Sequence, residues 1–442
     1  MTEPVAKTAF DRLTEAAILT CPRCAGSLHV AGEGLVCDAG HETGLRRGVL
    51  DLYIAPELPT GADAATDRDE EVAAVFAQHL ELPLDWVRDA ALLEPLPPTG
   101  NPFLDAEEDL FLDRFALFNK RAKLEIVKVY STGRLQAGVT NWIAVRVRNA
   151  GLFPLSSASP KPLFLAYHWL DANGNLLDFE GLRSALPVDV KPAQAVTAHL
   201  QVAAPAAPGR YRLQIVPVHE TVAWLHECAV TIDVEASADA PAMPRAEDAG
   251  RPFDELLDNV LAEAFIARRI GALADPIRGL EIGGATSSAL SEWARKAGRA
   301  AALINGDISV RLLRLAAVLT EKAQDRSTTH VRLAAERLPI RDGALDVVTF
   351  RRALHHFDDP AAVLRECARA LKPDGQILLL CEPVAHVYDD ETRNLIRAGV
   401  NEQVFPLDGY LAMFAEAGLE AADMACDWGF SLKAALRKQP TR

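Results

Sequence analysis

Four residues near the start of the chain have metal-ligand types at metal-ligand spacing. Cys21 and Cys24 form a C-x-x-C knuckle, Cys37 follows after twelve residues, and His41 stands four positions beyond it. Three thiolates and an imidazole in two such half-sites close a tetrahedron around Zn and leave no ligand position open. Gly26 and Gly40 fall in the two turns, and His29 and Asp38 are spare donors nearby. A closed site of this kind staples a segment too short to fold on its own core, so residues 15–54 read as a zinc ribbon with a structural role. A second group has ligand-turn chemistry. Leu280-Glu281-Ile282 runs into the small residues Gly283-Gly284-Ala285-Thr286-Ser287, and Asp307 ends a second strand further on. Small residues let backbone approach a cofactor closely, and an acid about 20 residues later is placed to hold a ribose hydroxyl.

Three more blocks follow in order: Ala335-Glu336-Arg337-Leu338-Pro339 leading into Leu345-Asp346-Val347-Val348, then Ala353-Leu354-His355-His356-Phe357, then Leu371-Lys372-Pro373-Asp374-Gly375. Over roughly residues 252–435 this order resembles the class I S-adenosylmethionine-dependent methyltransferases of the small-molecule branch. The resemblance implies a doubly wound α/β, Rossmann-like domain over 252–442 with S-adenosylmethionine as cofactor. It also implies the cofactor-binding set: Glu281 at the start of the first-strand motif, Gly283, Gly284, Ala285 and Ser287 along the methionine and ribose end, Asp307 at the ribose hydroxyls, the backbone around Ala335 at the adenine edge, and with them Ile308, Ala334, Glu336 and Arg351. The family often has Asp where Ala334 stands and glycines where Ala285 and Ser287 stand. Losing one such hydrogen bond costs about 0.5 to 1.5 kcal/mol, which weakens binding without abolishing it.

Transfer of an activated methyl group asks mainly for positioning, and an oxygen nucleophile gains from a general base. His355 and His356, just past the strand ending near Arg351, are the candidates for that base. They lie at the carboxyl edge of the sheet, where ligands of open α/β folds bind.

The remaining elements must position these groups. Pro56, Pro59 and Gly61 break the chain after the ribbon, and apolar residues at helical spacing (Val72, Val75, Phe76, Leu80) make 55–120 a helical connector. From 121 to 235 the period changes to two. Short strands at 123–129, 142–147, 163–170, 196–202 and 211–215, with turns at Asp171–Asn175 and Ala207–Gly209, predict an antiparallel β-sandwich of immunoglobulin type.

Two of these segments carry resemblances of their own. The ribbon through Gly48–Leu52 is similar to the N-terminal zinc ribbon of large-subunit rRNA guanine methyltransferases. The block Tyr167-His168-Trp169-Leu170-Asp171, with Gly181-Leu182-Arg183, Pro208-Gly209-Arg210-Tyr211 and Val222-Ala223-Trp224, resembles the glycan-recognising β-sandwich of O-antigen ABC transporters. Trp169 in a central strand also fits a core anchor.

Composition sets the outer bounds. A chain of 442 residues is too long for one core and splits into several domains. No run of about 18 or more apolar residues is present to span a membrane, and the acidic opening Met1-Thr2-Glu3-Pro4 carries no secretory pattern. A cytoplasmic location is expected, and the odd count of seven cysteines argues against a disulfide framework. The net charge of -15 argues against a nucleic-acid partner. Together these readings give a multidomain methyltransferase acting on a bacterial surface glycan or its lipid-linked precursor. The rivals are an rRNA methyltransferase and a non-catalytic glycan-binding scaffold with a degenerate methyltransferase fold.

Overall fold

The computed structural model describes residues 18–31, 34–46, 49–53 and 123–440, the last stretch with short breaks at 152–153, 159–160, 240–244, 248–249 and 324. The helical connector expected over 55–120 lies outside the described residues. The chain divides into two compact units, one drawn from Met1–Ala74, Met243–Val384 and Met413–Arg442, the other from Val75–Ala242 and Ala385–Ala412. Residues 385–412 fall inside the stretch read from sequence as the methyltransferase domain, and they group with the β-rich unit.

The first unit begins with four short strands, β1 (Leu28–Ala31), β2 (Gly34–Cys37), β3 (Glu42–Arg46) and β4 (Val49–Asp51), each antiparallel to the next. The β2–β3 turn runs from Cys37 to His41 with Gly40 at φ +79°, the left-handed conformation that glycine adopts without strain.

The second unit contains β5 (Leu124–Tyr130), β6 (Arg134–Gln136), β7 (Thr140–Asn149), β8 (Leu163–Leu170), β9 (Leu176–Asp178), β10 (Ser184–Ala185), β11 (Ala195–Ala203), β12 (Gly209–His219), β13 (Ala223–Trp224) and β14 (Val230–Ser237). One sheet has the order β10-β8-β12-β14-β6, with β9 on β8 and β13 on β12; the other has the order β11-β7-β5. Every second residue turns inward, as a pleated strand requires. Ile143, Val145 and Val147 of β7 and Val196, Ala198 and Leu200 of β11 share one core with Leu163, Leu165 and Tyr167 of β8 and Leu213 and Ile215 of β12. On the opposite face of the smaller sheet Arg146 and Thr197 are polar and buried. Arg146 Nη1 and Thr197 Oγ1 donate to Gln403 Oε1 at 2.7 and 2.6 Å, and Tyr388 OH donates to the Thr197 carbonyl at 2.6 Å. Residues 385–412 therefore complete this sheet by satisfying groups that burial would otherwise leave costly.

The first unit resumes with α1 (Glu255–Ile270), β15 (Ile277–Ile282), α2 (Ala289–Lys296), β16 (Ala301–Asp307), α3 (Val310–Lys322), β17 (Thr328–Arg332), β18 (Leu345–Arg351), α4 (Pro360–Ala370), β19 (Leu371–Pro383), β20 (Leu419–Asp427) and β21 (Ser431–Lys438). Side chains of Asp254, Ser288, Ser309 and Asp359 cap the four helices by accepting from the first-turn amides. The strands form a sheet of order β17-β16-β15-β18-β19-β21-β20, with β15 to β19 parallel to one another and β21 antiparallel to both β19 and β20. Strands of a parallel sheet are covered on both faces, and β15, β16 and β18 are buried along nearly their whole length, polar Glu281, Asn305 and Thr349 included. Phe265, Ile266 and Ile270 of α1 and Leu290 and Trp293 of α2 cover one face over Leu303, Val347 and Leu378. This doubly wound half matches the Rossmann-like expectation.

The ribbon does not stand apart from that sheet. β4 pairs in parallel with β17, His330 opposite Val49 and Arg332 opposite Asp51, so the four ribbon strands extend the sheet to eleven. Among the described residues no helix is long and apolar enough to cross a membrane.

Candidate functional site

The strand order reverses at β15, which pairs with β16 on one side and β18 on the other. Ligands of such sheets bind at this switch, beyond the carboxyl ends of the strands. The turn after β15 packs so tightly against its neighbours that it excludes side chains at two positions. Gly283 has φ +71°, and a Cβ there would fall 2.7 Å from Ala353 Cβ. A Cβ on Gly284 would fall 2.2 Å from Asn305 Oδ1. Ala285 holds φ +45°, an uncommon conformation for a residue with a side chain.

Glu281 is fully buried and accepts from Ser288 Oγ, Ala289 N, Leu290 N and Thr349 Oγ1, which fixes the start of α2 against β15 and β18. Asp307 ends β16 with Oδ2 accepting from Ala285 N at 3.0 Å and Oδ1 from Ser309 N at 2.8 Å. Arg351, at the end of β18, donates to Ser287 Oγ at 3.0 Å and closes the turn from the other side. Leu333 N donates to the Asp307 carbonyl, so the loop carrying Ala334, Ala335 and Glu336 leaves β17 beside that acid; Ala335 is buried and Glu336 exposed. Ile308 accepts from Arg332 Nε at 3.1 Å through its carbonyl.

His355 and His356 follow β18 in a short 3-10 turn. His355 is buried, His356 is exposed, and their rings lie 4.1 Å apart. His355 Nδ1 lies 2.8 Å from Glu382 Oε2. Glu382 is fully buried, and it also accepts from the amides of Ala353, Leu354 and His355. Burial works to raise its pKa, but the charge of His355 and these donors outweigh it and hold the carboxyl below its usual range.

Glu382 was not among the residues picked out from sequence. Its only signal there is a charge ending the apolar run Ile377–Cys381. What turns it inward is a register shift between Leu379 and Glu382, with Cys381 at φ +59°.

Residues 280–379 match the family described as a methyltransferase domain. The uncharacterized methyltransferase YcgJ of Bacillus subtilis is 34% identical over 114 residues, which cover 24% of this chain and 45% of YcgJ. The ubiquinone/menaquinone biosynthesis C-methyltransferase UbiE of Idiomarina loihiensis is 30% identical over 127 residues, 26% of this chain and 49% of UbiE. The chain thus spans less than half the length of these curated relatives. The solved structure of YcgJ covers 41% of this chain and 99% of its own, with 18% identity and a TM-score of 0.33.

Residues 280–379 carry a methyltransferase domain, for which S-adenosylmethionine is the expected cofactor. Its residues fit that cofactor on two local grounds: backbone bare of side chains at Gly283 and Gly284, just beyond the carboxyl end of β15, and a carboxylate at the end of the second strand of the parallel sheet.

The metal cluster expected from sequence also comes together in this unit. One ligand atom each from Cys21, Cys24, Cys37 and His41 lies within 4.8 Å of the others. The Cys24–Cys37 sulfur separation is 3.6 Å, and His41 Nδ1 lies 3.6 Å from Cys21 Sγ and 3.4 Å from Cys37 Sγ. Bonds of about 2.3 Å to Zn require tetrahedral edges of roughly 3.7 Å, so the four donors fit a closed site. The left-handed residue of the first knuckle is Ala25, at φ +57°, whereas Gly26 leaves room for Cys24 Sγ, 3.3 Å from where its Cβ would lie. The spare donors His29 and Asp38 bond each other at 2.8 Å and are exposed.

In the β-rich unit Trp169 is buried, its Nε1 donating to the Ala203 carbonyl, so it anchors the core. The solvent side holds a separate group: Phe179 lies 5.0 Å from Trp224, and the Arg183 guanidinium sits 4.7 Å over the Trp224 ring. His168 beneath them is buried with Nδ1 on the Phe179 carbonyl at 2.6 Å and no partner for Nε2 among the described residues.

Proposed function

We propose that the chain is an S-adenosylmethionine-dependent methyltransferase that methylates a sugar hydroxyl of a bacterial surface glycan or of its lipid-linked precursor. The observation that carries a hydroxyl acceptor is the buried Glu382 against His355 Nδ1. A carboxylate there fixes the imidazole tautomer with the proton on Nδ1, which makes Nε2 the basic nitrogen. The bound cofactor supplies a methyl group already activated on sulfonium sulfur. In this reading Asp307 accepts from the ribose hydroxyls, the Gly283–Ser287 backbone lines the methionine end, and the loop at Ala334–Glu336 meets the adenine. His355 Nε2 takes the proton that the acceptor hydroxyl gives up. Zn in the ribbon is structural, because its four protein ligands leave no open position.

The glycan acceptor rests on the likeness of the β-rich unit to glycan-recognising immunoglobulin-like sandwiches and on its half-exposed Phe179 and Trp224. Aromatic faces of this kind pack against the C–H faces of sugars. A glycan held on one part of a chain meets the active site at a raised effective concentration. UbiE relatives are named as C-methyltransferases of quinone biosynthesis, and a carbon acceptor is the second reading.

The test is transfer of labelled methyl from S-adenosylmethionine onto cell glycan, lipid and RNA fractions in parallel. Label in glycan or lipid-linked glycan, lost on His355→Ala, is the expected result. Label confined to quinone lipid or to RNA would replace the acceptor, and absence of cofactor binding would leave a non-catalytic glycan-binding scaffold.

A further inference from the structure

The parallel pairing of β4 with β17 brings the metal ribbon against the strand that ends beside the cofactor turn. One side chain crosses this seam. Arg332, the last residue of β17, is 11% exposed and is gripped from both sides. From the ribbon, Asp51 Oδ2 lies 3.5 Å from its Nη1, the Tyr53 ring lies 4.7 Å below the guanidinium, and Leu52 N donates to its carbonyl at 2.9 Å. Toward the cofactor edge, its Nε donates to the carbonyl of Ile308, the residue after Asp307. The next residue, Leu333, donates its amide to the Asp307 carbonyl. A second seam runs in parallel. Thr20 N donates to Pro339 O and Arg341 N to Ile18 O, both at 2.9 Å, so the segment entering the Cys21 knuckle holds the far end of the loop that starts at Leu333.

We propose that Arg332 is a positioning residue through which the metal ribbon holds Asp307 and the following loop in their ligand-binding shape. The guanidinium is planar, with several donors in fixed directions, so one group can satisfy a carboxylate, an aromatic face and a carbonyl at once only while all three keep their places. Asp51 and Tyr53 keep theirs because β4 is folded back on β3, and β3 begins at Glu42, directly after the ligand His41. Releasing the metal frees β3 and β4, and Arg332 loses Asp51 and Tyr53. Asp307 is then held by Ala285 N and Ser309 N without the support behind them. The inference rests on the cofactor reading of this edge and is independent of the acceptor.

The experiment measures S-adenosylmethionine affinity by calorimetry and amide exchange at residues 307–310 and 333–341 in the full chain, with and without metal extraction by a chelator. Arg332→Met and Arg332→Lys are compared with wild type, and exchange in β19 and β21 serves as the control for intact folding. Expected is a rise in Kd of about tenfold on metal extraction, a rise of the same size in Arg332→Met, and less than twofold more when that variant is stripped of metal. Arg332→Lys, which keeps the charge and loses the planar fork, should fall between. Unchanged affinity and exchange on extraction would overturn the proposal, as would effects of extraction and substitution that multiply in full. A wild type that binds no cofactor overturns the cofactor reading instead, and the exchange rates then decide the buttress alone: faster exchange at both segments on extraction supports it, unchanged exchange rejects it.

Discussion

Glu382 Oε2 and His355 Nδ1 stand 2.8 Å apart with both side chains buried, and the carboxylate also accepts from the three amides of Ala353, Leu354 and His355. The glutamate therefore orients both the imidazole and the turn that carries it. Replacing it with glutamine keeps the shape and removes the charge. Glu382→Gln should lower the rate of methyl transfer by about 10- to 100-fold, a fraction of what general-base catalysis supplies, with cofactor affinity unchanged. Single-turnover transfer alongside calorimetry checks both halves.

Asp307 is the acid at the end of β16, tied to the turn through Ala285 N. Asp307→Ala should weaken S-adenosylmethionine binding by roughly 1.5 to 3 kcal/mol, the range for hydrogen bonds to a charged group. Equal binding by wild type and variant would move the ribose site elsewhere.

Purified protein should carry about one zinc per chain, and Cys24→Ser should release it. From sequence alone the ribbon reads as a distant module whose loss spares the cofactor. The β4–β17 pairing leads to the opposite expectation, with metal content and cofactor affinity falling together. Elemental analysis of the variant, paired with a binding titration, separates the two.

Acid sensitivity follows from two buried histidines. Burial lowers the pKa of His330 to about 4 and that of His199 to about 4. An unfolded histidine takes its proton near pH ~6.5, so the unfolded state binds more protons between that value and about 4. Stability from each residue is fully present above about pH 6.5 and drains away as pH falls toward 4, by roughly 3 kcal/mol at most. Urea unfolding at pH 7.5 and 4.5 should show this loss, and His330→Gln should flatten the part that belongs to the first unit.

The residues with fixed spacing were the legible ones. Cys21, Cys24, Cys37 and His41 announce their geometry because two short turns bring each half-site together locally. The Gly283–Ser287 turn and Asp307 are visible because a strand, a tight turn and a helix are all encoded within one stretch. The period-two strands of the β-rich unit fall where alternation placed them, β8 at Leu163–Leu170 among them. Glu382 was hidden because its direction depends on the irregularity at Cys381, which no side-chain pattern records. Val49–Asp51 read as the tail of the ribbon, since three residues give no clue to a parallel partner so far downstream. The grouping of residues 385–412 with the β-rich unit was equally hidden, because Gln403 finds Arg146 and Thr197 only after the smaller sheet exists.

The partner strands β4 and β17 lie about 280 positions apart, which makes their union one of the most non-local events in the assembly of the chain. At roughly 5 to 20 residues per second, a ribosome needs on the order of 15 to 60 s to make the second strand after the first. For that interval a ribbon closed on its metal presents β4 as an open edge, with the amides and carbonyls of Val49–Asp51 waiting for a match. The ribbon strands are thus made long before the strand they pair with, and in a chain starved of zinc during translation β17 would meet β16 on one side and no ordered β4 on the other.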